Sequence, residues 1–157
     1  MKTKTNAMRR LDAAKIAYEV CEYEVDESDL SGTHIADEIG LPYEMVFKTL
    51  VAKGDKTGPV VFCMPVDLEI DLKKAARVTG NKRIEMVHVK DLPGLTGYIR
   101  GGCSPIGMKK QFPTYLHASA TSFERITVSA GVRGAQLLIK TESLIAFIGA
   151  KTADLTE

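Results

Sequence analysis

Lys48 lies in the segment Val46-Phe47-Lys48-Thr49-Leu50-Val51, so an amine is carried inside a stretch that otherwise has the composition of a buried strand. A lysine in that setting either snorkels to the surface along its own stem or holds a positive charge at a site. The second stretch able to do chemistry is Gly97-Tyr98-Ile99-Arg100-Gly101-Gly102-Cys103-Ser104-Pro105-Ile106-Gly107, with four glycines in eleven residues. Glycines let backbone come close to a ligand, and Pro105 fixes one φ angle and stiffens the turn. Gly101 and Gly102 can then offer N–H donors to negative charge that develops on a carbonyl oxygen during acyl transfer. Each stretch alone also reads as ordinary structure, a tight turn and a snorkelling lysine.

The usual nucleophiles lack partners. Ser104 fails the Gly-x-Ser-x-Gly pattern because Ile106 stands where its second glycine belongs. The histidines His34, His88 and His117 are scattered, with no acid–histidine–nucleophile order and no His-Glu-x-x-His helix. Cys21, Cys63 and Cys103 are odd in number and widely spaced, which argues against a disulfide framework and fits a reducing compartment. No metal and no cofactor is expected. Cys103 packs as a small apolar group, or attacks an ester if its pKa is lowered. Lys48 would need a pKa far below ~10.4 to act as a base, whereas as a cation it needs no shift.

The chain has 157 residues, a net charge of +1 and 26% charged residues, which sets it apart from proteins that hold nucleic acid mainly through phosphates. Any RNA contact must be local. Residues 71–90 carry Lys73, Lys74, Arg77, Lys82, Arg83 and Lys90 against Asp71 and Glu85, read as a solvated helix face. Lys109-Lys110, just after the glycine loop, is the better-placed basic pair. No apolar run approaches the ~18 residues of a membrane span, and Met1-Lys2-Thr3-Lys4 opens no signal-peptide core. The expectation is a cytoplasmic protein with no membrane partner, forming one domain over 1–157.

Hydrophobic spacing predicts a helix capped by Asn6, a half-buried strand alternating through Cys21, Tyr23 and Val25, and a short helix capped by Thr33 and ended by Gly40. Residues 46–52 and 59–66 read as a hairpin of two central strands, and Asp71 caps a helix that stops at Gly80. Strands near 114–118, 126–129 and 136–140 precede a closing helix that Thr141 opens. Helices interleaved with hairpin-like strands predict a mixed α/β domain of the α+β kind, with a largely antiparallel sheet.

The Lys48 strand, the glycine loop and Ser129-Ala130-Gly131-Val132-Arg133-Gly134 together resemble the YbaK/EbsC family of aminoacyl-tRNA deacylases over most of the chain. The resemblance implies a curved, barrel-like mixed sheet surrounded by helices, with the site in a cleft. It also implies a free-standing enzyme that clears cysteine from proline tRNA beside prolyl-tRNA synthetase, with the thiol of the misattached cysteine attacking its own ester. Carried over by motif, Lys48 and Gly101 take the central roles. Tyr23, Thr49, Gly102, Cys103, Ser104, Pro105 and Ser129 become substrate-binding candidates, although Tyr23 and Thr49 also suit a core and a plain strand. The chain departs from the family at Gln136, where many relatives carry an acid, at Ser31, where an aromatic is common, and at Cys103, where an aliphatic side chain is common. The alternatives are an alanine- or serine-specific deacylase of the same superfamily and a non-catalytic tRNA- or synthetase-binding module.

Overall fold

The computed structural model describes residues 3–157. In chain order it contains α1 (Asn6–Ala13), β1 (Tyr18–Glu22), α2 (Gly32–Ile39), β2 (Phe47–Gly54), β3 (Gly58–Pro65), α3 (Leu72–Thr79) and β4 (Ile84–Met86). There follow α4 (Leu92–Thr96), β5 (Thr114–His117), β6 (Arg125–Ser129), β7 (Ala135–Lys140), α5 (Thr141–Ile148) and β8 (Lys151–Ala153). The strands form a three-stranded sheet, β1-β7-β6, and a five-stranded sheet, β4-β2-β3-β5-β8. All pairs are antiparallel except β3 with β5 and β5 with β8.

The hairpin β2–β3 explains why residues 46–66 read as near-continuous apolar runs. On one face Val51, Val61 and Cys63 share a core with Ile126, Val128, Leu137 and Ile139 of the smaller sheet. On the other, Ala52, Val60, Phe62 and Met64 meet Ala75 and Ala76 of α3. A strand covered on both faces has no solvent side to make polar. Lys48 lies at the open end of this hairpin, opposite Met64.

The mixed, mostly antiparallel architecture with surrounding helices is the one expected, but the strands do not close into a barrel. The two sheets meet at the isolated parallel bridge between Val46 and Thr127, and β1, β6, β4 and β8 remain sheet ends. Local boundaries also shift. Thr5, not Asn6, caps α1 by accepting from the Met8 N–H at 3.2 Å, which frees the Asn6 amide to donate to the Gly107 carbonyl at 2.8 Å. Ser31, not Thr33, caps α2. The first strand begins earlier than expected because Tyr18 pairs with Ile139, and it ends at Glu22, so Tyr23 and the exposed Val25 lie outside it. Asp71, Gly80 and Thr141 bound their helices as read. Among the described residues no helix is long and apolar enough to cross a membrane.

Candidate active site

Where the two sheets part beside the Val46–Thr127 bridge, a cleft of about 80 Å³ opens, lined by Lys48 and Thr49 of β2, Gly101 and Cys103 of the glycine loop, and Ser129 and Gln136. Gly32, Ile35, Val46, Phe47 and Val66 complete its walls. The volume is well below the ~300–1,000 Å³ of a drug-sized pocket and suits a small side chain. Ser129 and Gln136 face each other directly across β6 and β7, so one register places both at the cleft.

Lys48 is the cation of this cleft. Its Nζ lies 3.9 Å from Glu69 Oε1, but the Glu69 side chain is 88% exposed, so the pair is loose and screened by water. The ammonium charge stays available to a ligand. Thr49, half-buried at the cleft, has its Oγ1 3.7 Å from Cys63 Sγ.

The glycine loop is braced within itself and against the 129–134 motif. Tyr98 donates its hydroxyl to the Ile106 carbonyl at 2.5 Å, and Arg133 Nε donates to the Arg100 carbonyl at 2.8 Å. Gly102 packs so closely on the following motif that a Cβ there would sit 3.0 Å from the Arg133 nitrogen and the Val132 carbonyl carbon. The two glycines then differ. Gly102 donates its N–H to the Ile99 carbonyl at 3.0 Å, closing a turn, whereas the N–H of Gly101 has no acceptor among the described residues. Gly101 has φ +84°, in the left-handed region that favours glycine. Of the two donors expected from sequence, the loop leaves the one at Gly101 free.

The remaining candidates lie as follows. Ser104 is fully buried beneath the loop, where its Oγ accepts from the Ile106 N–H at 3.2 Å, and neither it nor Pro105 lines the cleft. Tyr23 is half-buried and tied through its own N–H to the Gly134 carbonyl at 2.9 Å, outside the lining residues. Burial pushes the Cys103 thiol up to about 11 and the Cys63 thiol to about 12, so both are protonated at neutral pH. None of the three histidines lines the cleft. Among the described residues no group of histidines, cysteines and carboxylates is placed to hold a metal ion.

The apolar walls from Gly32 to Val66 escaped sequence reasoning because nothing in their types distinguishes a cleft wall from core. Gly32 carries one signal in space: a Cβ there would lie 2.3 Å from Val66 Cγ1. The cleft therefore offers one cation, one free backbone donor, small polar groups and no nucleophile–base pair. That set can hold an ester and stabilise charge on its oxygen, with the nucleophile coming from elsewhere.

Comparison with known proteins identifies the family. Residues 32–147 match the aminoacyl-tRNA editing domain. The chain is 49% identical, over 98% of its length and 93% of the relative's, to an Enterococcus faecalis protein provisionally named the Cys-tRNA(Pro)/Cys-tRNA(Cys) deacylase EbsC. A solved structure described as a provisional trans-editing enzyme for prolyl tRNA synthetase superposes with TM-score 0.85 at 26% identity, covering 99% of both chains. A solved hypothetical protein shares the fold at TM-score 0.87 and 18% identity, over 98% of this chain and 100% of that one.

Proposed function

The chain belongs to the aminoacyl-tRNA editing domain family, the YbaK/EbsC proteins whose motifs it carries, and we propose that it hydrolyses Cys-tRNA(Pro) in trans. The observation that carries this reading is the pairing of Lys48 and the free Gly101 N–H in a small cleft without a nucleophile–base pair. A substrate that brings its own nucleophile fits such a site. The thiol of the esterified cysteine attacks its own carbonyl, forming a sulfur–carbon bond. The ester C–O bond breaks, and the thiol proton passes to the departing ribose oxygen. Water then opens the cyclic thioester to free cysteine.

Gly101 N–H stabilises the oxyanion, and the Lys48 ammonium orients the ester or a neighbouring phosphate and steadies developing charge. Cys103 packs as a neutral wall; its raised pKa supports that role over attack. Residues 1–157 act as one editing unit in the cytoplasm, and prolyl-tRNA synthetase supplies the tRNA selectivity that a net charge of +1 does not. Likeness to a trans-editing structure for that synthetase supports the partnership.

The test is to incubate the protein with proline tRNA charged separately with cysteine, alanine, serine and proline, and with cysteine whose thiol is alkylated. Release of unblocked cysteine alone is expected. Release of alanine or serine would assign another member of the superfamily, release of alkylated cysteine would refute the substrate-assisted step, and tRNA binding without release would make the chain a binding module.

A further inference from the structure

We propose that the acceptor-end backbone of the tRNA runs along an arc of cations formed by Arg10, Arg100, Lys109, Lys110 and Arg133 on the glycine-loop side of the cleft; this rests on the aminoacyl-tRNA reading above. The five come from three separate segments that the fold gathers around one loop. Arg133 reaches the Arg100 carbonyl at 2.8 Å, and the Lys109 side chain packs 3.3 Å from the position of a Cβ on Gly97. The amide of Asn6 on α1 holds the Gly107 carbonyl at 2.8 Å, which brings α1 and Arg10 to the same loop.

None of these five pairs with a carboxylate among the described residues, in contrast to Lys4, Lys48, Lys74 and Arg125. Residues 97–110 and 129–134 contain no Asp or Glu. Residues 22–29, which carry Glu22, Glu24, Asp26, Glu27 and Asp29 with no Lys or Arg, pack near the 129–134 motif through Val25, whose Cγ2 would lie 3.3 Å from a Cβ on Gly134. A polyanion is drawn to the cations of the loop and repelled by this acidic segment. The net charge of +1 is thus the sum of unlike local charges.

The second basic region is less suited. Lys74 is spent on Asp154 at 2.8 Å, and Lys82 and Arg83 flank the tip of the β2–β3 hairpin, where their backbone N–H groups donate to Asp55 at 2.9 and 3.0 Å. That tip is six strand residues from Lys48, about 20 Å away.

The experiment compares wild type, Arg10→Gln/Lys109→Gln/Lys110→Gln and the hairpin-tip variant Lys56→Gln/Lys82→Gln/Arg83→Gln. Binding of uncharged proline tRNA is followed by fluorescence anisotropy against salt, and turnover is followed on Cys-tRNA(Pro) and on 3′-O-cysteinyl adenosine, which lacks phosphates. The loop-side variant is expected to weaken tRNA binding and raise KM for charged tRNA at least tenfold at low salt. It should also reduce the slope of log affinity against log salt by about 2 to 3, while turnover of cysteinyl adenosine stays at the wild-type level. The hairpin-tip variant should behave as wild type. Unchanged tRNA affinity and slope in the loop-side variant, or an equal loss at the hairpin tip, would overturn the arc. Failure of the wild type to turn over either ester would instead refute the deacylase reading, and the binding measurement decides the arc independently.

Discussion

Arg133 Nε lies 2.8 Å from the Arg100 carbonyl oxygen and 3.2 Å from where a Cβ on Gly101 would stand, so one guanidinium fixes the peptide unit that carries the free Gly101 N–H. Through this bond the motif 129–134 positions the glycine loop. Arg133→Ala removes the clamp, and kcat on cysteinyl adenosine, a substrate without phosphates, is expected to fall about tenfold with little change in thermal stability. Wild-type kcat on that substrate would show that the loop is aimed without Arg133.

Lys48→Met keeps the stem that packs beside the cleft and deletes the charge. Loss of about 10²–10³-fold in kcat is expected, comparable to removing one oxyanion contact, with an unfolding midpoint near that of wild type. Deacylation rates and chemical denaturation on the same preparation check both halves.

Ser104 and Cys103 separate a structural loop from a nucleophilic one. Ser104→Ala loses the Oγ that accepts the Ile106 N–H at 3.2 Å and should destabilise by about 1 kcal/mol while substantial turnover remains. Cys103→Ala should also retain turnover, because its buried thiol is held protonated. A trapped acyl-enzyme on either residue, detected by mass spectrometry after rapid quench, would contradict this.

Alkaline pH tests the same thiols through stability. Burial raises Cys103 from 9.0 to about 11 and Cys63 from 9.0 to about 12, so above pH 9 the unfolded chain releases protons that the folded chain retains. The folded state then binds more protons, and stability must fall as pH rises from about 9 towards those folded values. Denaturant midpoints from pH 7.5 to 10.5 should decline in wild type and decline less steeply in Cys63→Ala/Cys103→Ala.

The β2–β3 hairpin, the cap at Asp71, the start of α5 at Thr141 and the stop at Gly80 were legible because each depends on contacts within a few residues or on a run of apolar types. The short elements α4, β4 and β8 were not, since three to five residues carry too little periodicity and depend on neighbours distant in sequence. Asn6 has the right side chain for a cap, yet Thr5 takes that role and Asn6 reaches across to Gly107, a partner 101 residues away.

The order of residues already carries the chemistry available: a lysine in an apolar strand, a glycine loop, and no metal-ligand or triad spacing. It also determined the resemblance that points to an ester. Which of those groups meet depends on long-range packing. The register of β6 against β7 brings Ser129 and Gln136 to the cleft, and the Val46–Thr127 bridge carries them to Lys48. The same packing also decided that Gly102 spends its N–H on Ile99 while Gly101 keeps its own free, and that Ser104 faces inward. A residue type fixes which bonds a group is able to make, whereas the surrounding backbone fixes which of them are already made.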